Sequence, residues 1–495
     1  MTDEQSDNKS YKDSLKATSL FGGVQVYNIL IGIIRSKFIA VLLGPEGMGI
    51  SGLLSATVGL VSSCTNFGIS TSAVRDISEA NGTGDTRRIA LVIGVFRKLV
   101  WMTGLLGAVL CLVLSPYLSL LTFGNKDYTL GFAVLSCTLL FAQITSGQTT
   151  LLQGMRKYAY MAKSNILGNT IGLFTTVPLY FLWGIDGIVP VLVISSVVSL
   201  ALSYYFSRKV KIEKIPIRLQ QVKTEGKGMV KMGFFISLNG LLAVGASYIV
   251  RIFISNYGGV ADVGLYAAGF AIVNTYVGLV FTAMGTDYYP RLSEANKNRI
   301  KFNQLINTQI ELSILLLAPV IAAFIIFIKL IVTLLYSSQF IPVEGMIYWA
   351  IFAIFFKAAS WAIAYSFLAK GDTKAFFYNE CLAMIYTLAL NIGCYYVWGL
   401  TGMGISFLLS YVLYVAQVGL VCTKRYQFSI HRRFFKTFGL QLLLSCICIL
   451  IVLYTPLSIR YTVGSCLVLL SFYYSYKKLD EQIGVSEFIK RKLNK

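Results

Sequence analysis

Apolar stretches of about 20 residues, long enough to cross a hydrocarbon layer of about 30 Å, recur along the whole chain and are separated by short polar or basic segments. The pattern predicts fourteen spans. The first six run at roughly 17–43, 48–73, 90–115, 129–153, 161–183 and 187–207. Six more follow at roughly 229–256, 263–288, 308–336, 345–369, 375–398 and 402–423, and two last ones at roughly 437–456 and 459–476. Residues 1–16, 208–228 and 477–495 are left as a polar tail, a basic linker and a basic tail. No connection is long enough to hold a large soluble domain. The predicted fold is an all-α polytopic membrane protein.

The polar punctuation repeats. Gly44–Gly49 (GPEGMG) returns as Gly259–Gly264 (GVADVG), and Ser78–Asn81 (SEAN) returns unchanged as Ser293–Asn296. Trp183–Gly187 (WGIDG) returns as Trp398–Gly402 (WGLTG). All three marks share an offset of 215 residues. Residues 17–207 and 229–423 therefore read as two copies of a six-helix lobe, with the pair at 437–476 outside the duplication. Each copy holds an even number of spans, so both have the same orientation and are related by an axis along the membrane normal. Two such lobes around a central path are a transporter layout. The repeated glycines fall in the turns between spans, where Gly permits a positive φ. Trp183 and Trp398 fall where interfacial Trp is enriched. Pro178 and Pro319 lie inside spans 5 and 9 and predict kinks.

Composition agrees: 56% of the 495 residues are hydrophobic and 13% charged, against about 25% charged in soluble domains. The formal net charge of +21 does not point to nucleic acid, because its distribution follows membrane topology. Segments on the N-terminal side hold 36 of the 43 Lys and Arg, and the opposite turns hold only Lys126 and Arg460. By the positive-inside rule both termini face the cytoplasm. The start of the chain lacks a basic region leading into a short apolar core, so no cleaved signal is expected. The nine cysteines form no CxxC pair and His431 is the sole histidine. Neither a metal site nor disulfides are predicted.

Five basic residues remain inside the spans: Arg35, Lys37, Arg251, Lys329 and Lys357. Each costs about 2.5–3.5 kcal/mol at a helix centre unless it reaches water, a partner or an anionic ligand. Arg35 and Arg251 lie about 12–14 Å below the outer glycine turns, within partial reach of snorkelling, and occupy near-equivalent positions of the two copies. Lys37 and Lys329 are shallower. Lys357 sits near the middle of its span, where snorkelling is hardest. Acidic residues are scarcer: Glu311 is about one turn into span 9, Glu380 opens span 11 and Asp287 closes span 8. Loop cations could pair with each; Glu311 is the candidate for coupling to an ion. A net-positive interior suits an anionic substrate, which it would attract by field focusing and charge-assisted hydrogen bonds. A carrier of cationic drugs would need a carboxylate there. Gln143, Asn169 and Asn391 are among the neutral polar residues of the spans; helix–helix hydrogen bonding is the ordinary explanation for them, and as a set they could also line a hydrated cavity that accepts sugar hydroxyls.

Two stretches carry a resemblance: Arg35–Gly49 (RSKFIAVLLGPEGMG) and Asn66–Ala80 (NFGISTSAVRDISEA). They are similar to the first two helices of bacterial O-antigen and enterobacterial-common-antigen translocases. With the two-lobed arrangement, the chain resembles a Wzx-type flippase of the multidrug/oligosaccharidyl-lipid/polysaccharide (MOP) exporter superfamily. The resemblance implies two lobes working by alternating access in the bacterial inner membrane. It implies an undecaprenyl-diphosphate-linked oligosaccharide moved to the outer leaflet, without enzymatic activity or cofactor, beside a polysaccharide polymerase and a chain-length regulator. It assigns substrate binding to Arg35, Arg251 and Lys357, with Lys37 and Lys329 behind them. Many relatives have twelve spans; the fourteen predicted here match the lipid II flippases and keep that substrate open. No GxxxxGK[ST] phosphate loop is present, so transport would draw on gradients or on consumption of the product.

Overall fold

The structure, a computed structural model, describes residues 3–213 and 215–484. Side chains are described from Gly22 onward, apart from a few positions inside helices. The side chains of the predicted 1–16 tail, and 485–495 of the basic tail, lie outside the described residues. Among the described residues the chain is helical and contains no strand. It divides into two compact units, residues 1–264 and 265–495.

Unit 1 contains α1 (Asp3–Thr65), α2 (Ile69–Thr83), α3 (Thr86–Phe123), α4 (Thr129–Gly154), α5 (Tyr158–Trp183), α6 (Ile188–Ser207), α7 (Leu219–Gly258) and the start of α8 (Val260–Ala271). The first helix of the second sequence copy, α7, thus packs with the first lobe, against α1, α2 and α3. A buried hydroxyl cluster contributes to this: Tyr248 of α7 pairs with Thr122 at 2.8 Å and Thr57 with Tyr248 at 3.3 Å. Unit 2 continues α8 through a π-helical turn (Ile272–Val277) into α9 (Gly278–Glu294). It is completed by α10 (Arg299–Leu335), α11 (Glu344–Phe352), α12 (Ile354–Ala369), α13 (Thr373–Tyr426), α14 (Arg432–Tyr454) and α15 (Leu457–Ile483).

Ten helical stretches among the described residues are long and apolar enough to cross a membrane, and α1 and α13 each contain two segments joined at a non-helical glycine. Those glycines are repeat positions. Gly44 (φ 64°, ψ −169°) and its equivalent Gly259 (φ 92°, ψ 169°) make one pair of reversals. Gly184 (φ 54°, ψ −129°) and Gly399 (φ 55°, ψ −138°) make the other. These backbone conformations are closed to residues with a Cβ. Pro45 follows Gly44 at the first position of the outgoing helix, where its missing N–H costs no hydrogen bond. The helices α5 and α10 run on through Pro178 and Pro319.

A second glycine pair fixes a helix crossing. A Cβ on Gly49 would lie 1.9 Å from the Val260 carbonyl oxygen, and one on Gly264 would lie 1.9 Å from the Pro45 carbonyl oxygen. Positions 45 and 260, like 49 and 264, are 215 residues apart. Each partner therefore presents the same small surface to the other, as in membrane helices that pack through glycine.

Two elements differ from the predicted spans. Span 2 ends early: Phe67 (φ 48°) and Gly68 (φ 58°) break the helix, and the Asn66 side chain accepts the Gly68 N–H at 2.8 Å. A Cβ on Gly68 would meet the Gly233 carbonyl oxygen of α7 at 2.2 Å, so close packing accounts for the break. The last helix, α15, carries the Arg460 that the charge distribution places in an outer turn. Its side chain is instead buried at 5% exposure, donating to the carbonyl of Ile326 (3.0 Å) and to the Tyr348 hydroxyl (3.0 Å). That cation ties α15 to α10, against which α14 also packs.

The two segments of α13 pair through a polar ladder. Ser406 donates to Asn391 Oδ1 (2.6 Å), Tyr414 to Glu380, and the Gln417 amide to Asn379 Oδ1 (2.7 Å). At the far end Asp372 receives Tyr426 (2.9 Å) and Arg425 (2.8 Å). Position numbers rise on one segment as they fall on the other, so the reversal at Gly399 sets the register.

Candidate functional site

Unit 1 holds two of the predicted cations, Arg35 on α1 and Arg251 on α7. Arg35 stands half-buried on α1, on the face that carries Asn28 two turns earlier. Asn28 accepts the Asn169 amide at 2.8 Å and Tyr27 pairs with Thr170, so this face of α1 lies against α5. Further along α5 the buried Tyr180 feels the positive charge of Arg35 and is within hydrogen-bonding reach of Ser51. From the other side Arg251 of α7 reaches the next residue, donating Nη1–H to the Gly52 carbonyl at 3.2 Å. Its Nε is buried without a hydrogen-bond partner. Of the two near-equivalent cations, Arg251 is thus in contact with Gly52, and Arg35 is linked to the neighbouring Ser51 only through its field at Tyr180. A backbone carbonyl and a phenol leave both charges without a neutralising carboxylate at the contacts described.

Lys37 is half-buried and lies about 200° round α1 from Arg35, so it does not share that site. Lys329, also half-buried, stands six residues before the end of α10 beside the exposed Leu330, a placement suited to a snorkelling lysine. Glu311 accepts the Thr437 hydroxyl of α14 at 3.3 Å. It therefore faces the C-terminal helix pair, and no described interaction joins it to the predicted cations.

Unit 2 holds Lys357 of α12 among aromatic rings from two other helices. Its Nζ lies 5.6 Å from the Phe281 ring centroid on α9, and 5.7 and 5.5 Å from those of Phe407 and Tyr411 on α13. Among the described residues no carboxylate stands within ion-pair distance of it. Ring faces attract a cation, by about 2 kcal/mol where both are desolvated, without cancelling its charge. A carboxylate stands further off: Glu380 accepts the hydrogen bond of Tyr414, and Tyr414 and Tyr411 are in ring contact at 6.5 Å. The chain reaches from the ammonium through two phenols to an acid. Such a site can bind an oxyanion in exchange for ring faces while Glu380 stays at a distance.

Sequence reasoning missed the cage. Phe407, Tyr411 and Tyr414 do stand at i, i+4 and i+7, the spacing of one helix face, so the α13 half of it was visible as a stripe. Phe281 was not, because nothing in the sequence pairs α9 with α12. Among the described residues no three His, Cys, Asp or Glu side chains converge as a metal site would require.

Comparison with known proteins fits this architecture. A model of a family described as "Polysaccharide biosynthesis protein" matches residues 38–344. A Shigella flexneri protein named "Putative O-antigen transporter" is 23% identical over 391 residues, covering 78% of this chain and 91% of its own. The lipid III flippase of Escherichia coli K12 is 19% identical over 397 residues, covering 77% and 92%. Among solved structures, the lipid II flippase MurJ in an inward closed conformation superposes with a TM-score of 0.67 at 13% identity, covering 94% of this chain and 99% of that one. An inward-facing multidrug resistance MATE family transporter of the MOP superfamily gives 0.63 at 15% identity, covering 81% and 94%. The protein is a multi-pass membrane protein with a fold like those of MurJ and the MATE transporter, and the chain belongs to the polysaccharide biosynthesis protein family.

Proposed function

We propose that this protein is a flippase for a lipid-linked oligosaccharide, carrying an undecaprenyl-diphosphate-linked repeat unit from the cytoplasmic to the outer leaflet of the bacterial inner membrane. The carrying observation is Lys357: a deep cation in a ring cage, with no carboxylate at ion-pair distance among the described residues. Arg251 adds charge at Gly52, and Arg35 adds charge that is felt at Tyr180. A diphosphate needs such a route, because apolar lipid does not solvate its charge. Outward movement across an inside-negative potential gains up to about 2.3 kcal/mol per charge per 100 mV. The relatives named for O-antigen and lipid III support the oligosaccharide class. Both termini face the cytoplasm in this reading, the two lobes alternate access, and the protein makes and breaks no covalent bond.

The test is export of the glycan by cells carrying Lys357→Ala, or Arg35→Ala with Arg251→Ala, at unchanged protein level. Export falls in each; unchanged export in all three substitutions combined would refute the cationic route. A second reading rests on the fourteen predicted spans and the MurJ-like fold: the substrate is lipid II. Rescue of cells depleted of their own lipid II flippase selects that reading, and failure of rescue with restored O-antigen export selects the first. A multidrug antiporter would instead show drug resistance on expression and would depend on Glu380 or Glu311.

A further inference from the structure

The flank of unit 1 carries cations that the transport reading does not use. A cavity of about 740 Å³ opens between the basic ends of α3, α4 and α6 and the first residues of the linker. Arg97 and Trp101 of α3, Gln148 of α4, Tyr204 of α6, and Arg208 and Lys211 line it. Glu213 also lines it, and accepts the Thr86 hydroxyl at 3.2 Å. Three cations against one acid leave the cavity net positive. Arg208 lies over the Tyr204 ring at 5.4 Å, and among the described residues Arg97 has no carboxylate within ion-pair distance. None of the residues around Arg35, Arg251 or Lys357 takes part.

Its position is that of a bilayer interface. The 38-residue α3 exceeds the membrane, and Arg97 lies about seven residues from its midpoint, or about 11 Å. That is just inside the edge of a hydrocarbon layer about 30 Å thick. The same face continues as Trp101, Met102 and Leu105, which are 51%, 55% and 48% exposed, an apolar track for an acyl chain. Tyr204 is an amphipathic aromatic of the kind found at headgroup depth, and Trp101, about one helical turn deeper than Arg97, begins the apolar track. One polar atom selects among headgroups: Gln148 Oε1 is buried with no hydrogen-bond partner, and as an acceptor it calls for a hydroxyl donor beside the anion.

We propose that this cavity binds the headgroup of an anionic phospholipid bearing a free hydroxyl, a phosphatidylglycerol type, with the phosphodiester on Arg97, Arg208 and Lys211 and the glycerol hydroxyl on Gln148. Basic pockets between helices at the cytoplasmic face recognise lipid headgroups in this way.

The experiment is native mass spectrometry of the full-length protein in mild detergent, titrated with phosphatidylglycerol or phosphatidylcholine. The unaltered protein retains phosphatidylglycerol at least about fivefold better, a difference of roughly 1 kcal/mol. The combined Arg97→Gln, Arg208→Gln and Lys211→Gln variant retains the two equally, whereas Arg87→Gln, outside the cavity, keeps the preference. Gln148→Leu weakens phosphatidylglycerol but leaves phosphatidic acid, which lacks the glycerol hydroxyl, unchanged. Should the triple variant fail to fold, phosphatidylglycerol brominated on its chains still tests the site. It must quench a part of the tryptophan fluorescence that Trp101→Phe removes. Equal retention of the two lipids by the unaltered protein, undiminished preference in a folded triple variant, or quenching unaffected by Trp101→Phe overturns the proposal. Displacement of the lipid by millimolar inorganic phosphate also overturns it, by assigning the cavity to a free anion.

Discussion

In unit 1 the Arg251 guanidinium rests on a backbone carbonyl, Gly52 O at 3.2 Å, next in the chain to the Ser51 that Tyr180 reaches; in unit 2 the Lys357 ammonium has ring faces around it. The first arrangement is nearly symmetric in the duplication, with Arg35 and Arg251 one residue from equivalence. The second is not, since the position 215 before Lys357 is Ala142. A carbonyl contact holds a guanidinium in a fixed geometry. Ring faces hold an ammonium with no fixed hydrogen bond, so its donors stay available. In the proposed flippase the two units then differ in kind: a guanidinium fixed on a carbonyl in unit 1 and an adaptable point charge in unit 2.

The largest effect expected from breaking that contrast is at Lys357. Lys357→Met keeps the volume and the ring contacts and removes the charge. Glycan export should fall by at least about tenfold, the equivalent of roughly 1.4 kcal/mol, with protein level unchanged. Lys357→Arg should recover part of it, because a guanidinium also stacks on rings. Equal losses in Met and Arg would make Lys357 a packing residue. In unit 1 the expected losses are smaller and shared. Arg35→Gln and Arg251→Gln should each cost about two- to threefold, and the double variant less than their product, because residues at one site do not act additively. Full additivity would separate them into independent sites.

How much of this was legible differs between the regions. The glycine reversals were readable because the sequence repeats them, and Gly44, Gly184, Gly259 and Gly399 all have positive φ. The near-equivalence of Arg35 and Arg251 along the sequence came from the same repeat. The ring cage was not readable, since it joins residues 281, 357, 407 and 411 through tertiary packing alone. Arg97, counted by charge with the inner segments, and Arg460, assigned to an outer turn, took on meaning only when α3 and α15 were placed among neighbours. Periodicity says which helices exist and roughly how deep a residue lies, but leaves open which helix faces which.

The glycine crossing offers a sharper test of the symmetric half. Gly49→Ala and Gly264→Ala each push a methyl group to 1.9 Å from a carbonyl oxygen, so in either variant the same two helices must move apart. Overpacking of this kind costs about 1–3 kcal/mol. Because the two contacts mirror one another, thermal unfolding in detergent should shift by nearly the same amount in each variant. Unequal shifts would show that one copy has taken over the crossing.

The smallest expected effect is at Asp372, in the turn before α13, which has no acidic counterpart 215 residues earlier because Lys157 stands there. The Ala375 N–H, the Tyr426 hydroxyl and Arg425 hold its carboxyl below the usual carboxylate range. A depressed folded-state value means stability that is fully present above the ordinary carboxylate pKa and is lost as pH falls through the folded value. Asp372→Asn keeps a helix-capping side chain and removes the charge. The variant should therefore unfold slightly earlier than the parent at pH 7, and the gap should close below about pH 4. A gap independent of pH would assign the contribution of Asp372 to the cap alone, and with it the register of the α13 hairpin to neutral hydrogen bonds such as Ser406–Asn391.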